Sequence, residues 1–291
     1  MKDEAERPSR EAEGVTVAEA LAGAERRLAA AGVASPRVDA ELLVGTALGT
    51  TRTAVYADSA RELSAEESAG LERLVVRREA REPLAYVLGE WGFRRLTLKV
   101  DRRVLVPRPE TEVVVERCLE LLRGLDRPVV LDVGTGSGAI ALAIADEHQG
   151  ARVTAIDVSV GALEVARENA RAAELDVTFV EHDVDYGLEG EYDLVVSNPP
   201  YVGSEEIETL EPEVRDWEPR VATVGEGHTE TIARAAARVL VPGGHVVLEV
   251  ADGRAAEVSD MLRRLGYDEV RSGEDLTGRD RVVEGRWSSA Q

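Results

Sequence analysis

The chain has a single cysteine, Cys118, in 291 residues, which excludes an intrachain disulfide framework. Its surroundings, EVVVERCLELL, read as a helix, so the expectation there is a buried, inert thiol. The four histidines (His148, His182, His228, His245) share no ligand spacing with one another or with Cys118, and no structural metal site is expected. Aromatic residues make up only 4% of the chain, while apolar residues reach 44%. The core must therefore be built from Val, Leu, Ala and Ile. No apolar run approaches the ~20 residues of a membrane span. The opening stretch, MKDEAERPSREAEG, is charged and lacks the apolar centre of a secretory signal. A cytoplasmic location without a membrane partner is the expectation. Basic residues are also in the minority, 35 against 56 acidic, for a net charge of −21. A field of that sign repels polyphosphates, which disfavours direct nucleic-acid binding.

What is present divides along the chain. Residues 1–13 read as a disordered tail. Residues 14–90 read as a helical region. Thr16 caps VAEALAGAERRLAAAG, Ser35 and Pro36 open a second helix, and Ser64 with Glu67 stands in capping-box register. Residues 91–106 read as a hairpin linker, with FRRLTLKV as one alternating strand and RVLVPRP as its partner. A helix is predicted over residues 111–125. From residue 107 to 291 strands and helices alternate, with apolar runs near residues 129–133, 153–156, 177–180, 194–196, 245–250, 270 and 281–284. That alternation predicts an α/β fold with a seven-stranded, mostly parallel sheet covered on both faces.

Two features of this second region carry chemistry. LDVGTGSGAIALA is a strand, a glycine-rich turn and a helix, in which Gly134, Thr135, Gly136, Ser137 and Gly138 let a ligand approach the backbone. By itself the turn is a weak signal, since a tight connection without a ligand is the lesser alternative and the pattern also fits a dinucleotide fold. Asp157 ends the next strand, where an acid accepts from ribose hydroxyls. Asp183, followed by Val184, ends the third, where a carboxylate accepts from the amine of an adenine. The three converge on the crevice where open α/β sheets bind ligands, which favours an adenosine-containing cofactor.

The fourth strand ends in SNPPY, in the same crevice. A planar NH2 group is a poor nucleophile, because its lone pair is delocalised. Two rigid acceptors hold such a group and favour charge developing on nitrogen. The Asn198 side-chain oxygen is one candidate and the Pro199 carbonyl the other. Pro199 and Pro200 stiffen the backbone, and Tyr201 offers a ring to pack on a flat amide or base. Methyl transfer from a sulfonium needs orientation more than a strong base.

Taken together, PLAYVLGEWGF, VLVPRPETE, LDVGTGSGAIALA, AIDVS, VSNPPY, EVRDWEPRVA and GRDRVV resemble the HemK/PrmC family, the release factor glutamine methyltransferases. The resemblance runs from about Pro83 to Val283, and the N-terminal helices suit that family's small helical domain. It implies a Rossmann-like class I methyltransferase fold, S-adenosylmethionine as cofactor, and class 1 peptide chain release factors as partners; a monomer is the expectation for the chain itself. The target it implies is the side-chain amide nitrogen of the glutamine in their Gly-Gly-Gln loop. It implies that residues 134–138 and Asp157 hold the cofactor, that Asn198, Pro199, Pro200 and Tyr201 hold the glutamine, with Asn198 near both, and that Arg108, Pro109 and Glu110 wall the site. Val184 stands where some members carry a Trp. Alternatives share parts of this chemistry: methylation of a ribosomal-protein glutamine or of adenine or cytosine in nucleic acid, or a cofactor-binding module without turnover.

Overall fold

The computed structural model describes residues 14–225 and 227–288; the expected tail, 1–13, lies outside them. The chain divides into two compact units, at Leu88/Gly89.

The first unit is helical: α1 (Val17–Ala30), α2 (Pro36–Ala47), α3 (Arg52–Ala57), α4 (Ala65–Glu79) and α5 (Leu84–Leu88). Thr16 and Ser64 each form a reciprocal capping box, with Glu19 and Glu67. These satisfy backbone donors that a helix start leaves open. Ser35 departs from expectation, because its side chain makes no cap hydrogen bond and Pro36 alone marks the start of α2. Val17, Leu21, Leu28, Leu43, Val44, Leu71 and Val75 recur at helical spacing and close one core. Beside that core Arg78 Nε donates to Asp39 Oδ2 at 2.7 Å, with both side chains buried.

The second unit begins with a short hairpin, β1 (Glu90–Phe93) and β2 (Leu96–Lys99), paired antiparallel. FRRLTLKV is thus a turn and a strand rather than one strand. Arg94 takes a φ of 50°, and its backbone N–H donates to Glu112 Oε1 at 2.9 Å. RVLVPRP is not a strand either. Its prolines supply no ladder donors, and it runs as an irregular segment along a cavity wall.

The rest follows as α6 (Thr111–Leu121), β3 (Val129–Val133), α7 (Ala139–Glu147), β4 (Arg152–Asp157), α8 (Val160–Ala172), β5 (Val177–Glu181), β6 (Tyr192–Ser197), α9 (Pro212–Trp217), α10 (Arg220–Thr223), α11 (His228–Ala236), β7 (Leu240–Glu249), α12 (Ala255–Leu265), β8 (Tyr267–Glu274) and β9 (Asp280–Trp287). Helix α6 stops at Leu121, short of the predicted residue 125. The large sheet has the order β5-β4-β3-β6-β7-β9-β8. Strands β3 to β7 run parallel, and β9 lies antiparallel to both of its neighbours. Strand order reverses between β3 and β6, so a crevice opens beyond their carboxyl ends. Cores on both faces are rich in Val, Leu, Ile and Ala, as the low aromatic content requires. Cys118 is fully buried among them, and burial pushes its thiol pKa up, so it is inert as expected.

Candidate functional site

Register brings the two motifs together. Val133 pairs with Ser197 across β3 and β6, so Gly134 and Asn198 leave the sheet side by side. Ser197 Oγ donates to the Val133 carbonyl at 2.6 Å and locks the two ends. A cavity of about 280 Å3 opens there, near the lower end of the usual small-molecule range. Its wall includes Gly134, Thr135, Gly136, Ser137, Asp157, Asp183, Val184, Asn198, Pro199 and Pro200. Of the residues predicted to hold the cofactor or the glutamine, Gly138 and Tyr201 are not part of that wall.

Gly138 has a different task. It starts α7 at a φ of 85°, and a Cβ there would lie 3.0 Å from Leu142 Cδ1 and 3.3 Å from Ala166 Cβ. The residue is glycine because helix and turn pack closely. Gly136 has a φ of 57°, and a Cβ built on it meets nothing within 4 Å. Its bareness, with that of Gly134, leaves open the space a ligand needs.

Asp157 fastens the turn. Its Oδ2 accepts from Gly136 N at 2.9 Å and its Oδ1 from Ser159 N at 2.8 Å. Burial raises its pKa, and those backbone donors oppose the rise. Asp183 Oδ1 accepts from Asp185 N at 2.9 Å in a short helical turn after β5. Both acids sit at strand ends on the cavity wall. Beneath the turn, buried Asp132 Oδ2 accepts from Thr135 Oγ1 at 2.7 Å and from Ala141 N at 3.2 Å. Its Oδ1 has no hydrogen-bond partner among the described residues, and burial pushes its pKa to about 7.

On the opposite side, Asn198 Nδ2 donates to Thr111 Oγ1 at 3.3 Å. Thr111 Oγ1 donates to Glu249 Oε2 at 2.7 Å. Burial pushes the Glu249 pKa to about 7. Pro107 and Arg108 join the wall, whereas Pro109 and Glu110 do not. Arg108 Nη2 bonds both oxygens of buried Glu218, at 2.8 and 2.7 Å. That pair ties the VLVPRP segment to the EVRDWEPRVA segment, which itself contributes Val221 and Ala222 to the wall.

Tyr201 instead lines a neighbouring cavity of about 390 Å3, together with Glu249 and Gly225. The segment after Ala222 is anchored to the proline corner: Gly225 N donates to Val202 O at 3.2 Å, and Val202 N to Thr223 O at 3.1 Å. A Cβ on Gly225 would lie 2.6 Å from Pro200 Cγ and 2.9 Å from the Pro200 carbonyl oxygen. Sequence reasoning missed Thr111, Glu218, Gly225 and Glu249. Each lies outside the two motifs, and only the first glycine of VGEGHTE and the acid ending the β7 run offered a local signal. Among the described residues no group of side chains could hold a metal ion, and no helix is long and apolar enough to cross a membrane.

Comparison with known proteins gives this geometry relatives. The PrmC N-terminal domain family matches residues 19–89, and the methyltransferase small domain family matches residues 113–211. A release factor glutamine methyltransferase of Caulobacter vibrioides is 42% identical over 278 residues, covering 93% of this chain and 96% of that one. One from Deinococcus radiodurans is 44% identical over 272 residues, covering 91% and 96%. Among solved structures, a T. thermophilus 16S rRNA N2 G1207 methyltransferase in complex with AdoMet and guanosine shares the fold. It superposes with a TM-score of 0.51 at 19% identity, over 68% of this chain and 49% of that one.

Proposed function

The chain belongs to the release factor glutamine methyltransferase family, and we propose that it methylates the side-chain amide nitrogen of the glutamine in the Gly-Gly-Gln loop of class 1 release factors. The cofactor is S-adenosylmethionine, which when bound supplies a sulfonium methyl group as the electrophile. The residues present suit it. Gly134 and Gly136 leave bare the floor of the cavity. Asp157 and Asp183 stand at strand ends, where carboxylates accept from ribose hydroxyls and from the adenine amine. Val184 provides an apolar contact at the base end.

Asn198 and Pro199 then act on the glutamine. The Asn198 carboxamide oxygen and the Pro199 carbonyl accept from the two N–H bonds of the target amide. Accepting hydrogen bonds from both N–H groups holds the nitrogen in line and favours positive charge on it as its bond to the methyl carbon would form and the carbon–sulfur bond would break, after which one of the two protons leaves to solvent. Proline rigidity means that the acceptors need no reorganisation when the substrate arrives. Tyr201, outside the wall that Asn198 lines, contributes from the adjoining cavity on the substrate side. The first unit selects the partner protein, and the chain works in the cytoplasm as a monomer.

The observation that carries the reading is the shared exit of Gly134 and Asn198 from paired strands into one cavity. The test is incubation with methyl-labelled cofactor and an intact release factor, followed by mass spectrometry of the loop peptide. Label on the glutamine, and none on a factor lacking it, is expected. Asn198→Ala should lower transfer by roughly 100-fold while the fold survives. Equal labelling of both factors would sink the substrate assignment.

A further inference from the structure

A carboxamide presents oxygen on one side and NH2 on the other, and only the oxygen accepts a proton from an amide. Something must decide which way Asn198 faces. Two buried side chains stand behind it in series, Thr111 and Glu249. The fold delivers both. Ser197 pairs with Leu248, so Asn198 and Glu249 follow at adjacent strand ends, while Thr111 is the first residue of α6. An ionised carboxylate only accepts, so the Thr111 hydroxyl gives its one proton to Glu249. Its oxygen then has only lone pairs to offer Asn198, which must turn Nδ2 toward it. The Asn198 oxygen is left for the cavity.

We propose that Thr111 and Glu249 are positioning residues, which fix the Asn198 carboxamide with its oxygen toward the target nitrogen. This rests on the reading that Asn198 accepts from the glutamine amide. The arrangement depends on the charge of Glu249. A protonated Glu249 becomes a donor, the Thr111 hydroxyl is free to donate to Asn198, and the amide is released to flip. The groups facing Glu249 are Arg281 on β9, Arg108 and Glu110 just before α6, and Tyr201 after β6. The two arginines favour its charged form and Glu110 opposes it, while burial dominates and places its titration at about pH 7.

The test uses the full chain, labelled with nitrogen-15. The Asn198 side-chain NH2 signals are assigned by their loss in Asn198→Ala. They should move with pH about a midpoint near that of Glu249, and the movement should vanish in Glu249→Gln. In steady-state kinetics Thr111→Val should lower kcat by roughly 10- to 100-fold, with S-adenosylmethionine affinity within about twofold of the parent, and Thr111→Ser should restore most of the loss. The acid limb of the kcat profile should flatten in Glu249→Gln. The proposal is overturned if Thr111→Val keeps the parent kcat, or if the Asn198 signals titrate alike in the parent and Glu249→Gln. Should Thr111→Val not fold, the signal titration decides alone. If Asn198→Ala loses transfer while Thr111→Val keeps it, positioning fails and the methyltransferase reading stands. If Asn198→Ala keeps full kcat, both fall.

Discussion

Asp132 and Glu249 show what burial does to single carboxylates in this chain. Each has its pKa pushed to about 7, chiefly by loss of water. In the unfolded chain such groups titrate near their ordinary values, about 4. Between those limits the folded state holds protons that the unfolded state has released. The stability they provide is therefore complete below about pH 4, declines as pH rises to about 7, and is level beyond it. Asp132→Asn cannot ionise, and the Asn oxygen still accepts from Thr135 and Ala141. It should melt several degrees above the parent at pH 8, and the difference should shrink toward zero near pH 4. Circular-dichroism melts across that range check it; a gap independent of pH would contradict the assignment. Gly225 makes a steric prediction. Gly225→Ala drives a methyl group against the Pro200 ring and carbonyl. It should lower kcat by roughly 100-fold by moving the acceptor corner, while the chain loses only ~1–3 kcal/mol in chemical denaturation.

Helices and strands set where those residues stand. The carboxyl ends of β3, β4, β5 and β6 deliver in turn the glycine turn, Asp157, Asp183 and Asn198. Parallel neighbours in register make that convergence a consequence of strand pairing. In the first unit the comparable device is the Asp39–Arg78 pair between α2 and α4. Arg78 also donates to the Glu82 carbonyl at 3.2 Å, so losing Asp39 removes one charge-assisted hydrogen bond of several, which typically costs roughly 1.5–3 kcal/mol. Asp39→Ala should lower the urea midpoint of that unit accordingly, while Asp39→Asn, which keeps an acceptor, should lose less. Equal loss in the two variants would mean that the negative charge of Asp39, rather than its size or its acceptor oxygen, is what matters at this position.

Across the whole chain, each unit encloses its own apolar core. Residues 89–291 produced alone should unfold in one cooperative transition, because their two core clusters include no residue of the helical unit. They should bind S-adenosylmethionine with an affinity within about threefold of the full chain, and methylate a short Gly-Gly-Gln peptide at a comparable rate. Methylation of an intact release factor should fall much further, if the helical unit selects the partner. Comparing kcat/KM for peptide and protein substrates separates the two; an equal fall for both would leave that unit a structural role only.

Much of this protein is legible in one dimension. Continuous apolar runs mark the central strands, which are buried on both faces, and period-3.6 patterns mark most of the helices, which bury one face. The glycine turn and SNPPY are contiguous, so their chemistry shows before any folding. The hairpin was misread because two arginines inside an alternating run look like exposed strand positions, while Arg94 in fact turns the chain. Thr111, Glu218, Gly225 and Glu249 stayed hidden for another reason. A threonine beginning a helix and an acid ending a strand are commonplace alone. Their meaning comes from partners 87 and 138 residues away along the chain, and such pairings exist only once β6, β7 and α6 have packed. Local sequence thus determined the elements and the groups able to bind a cofactor and an amide. Packing alone decided which way the amide acceptor faces, because a side chain's orientation is set by what lies behind it.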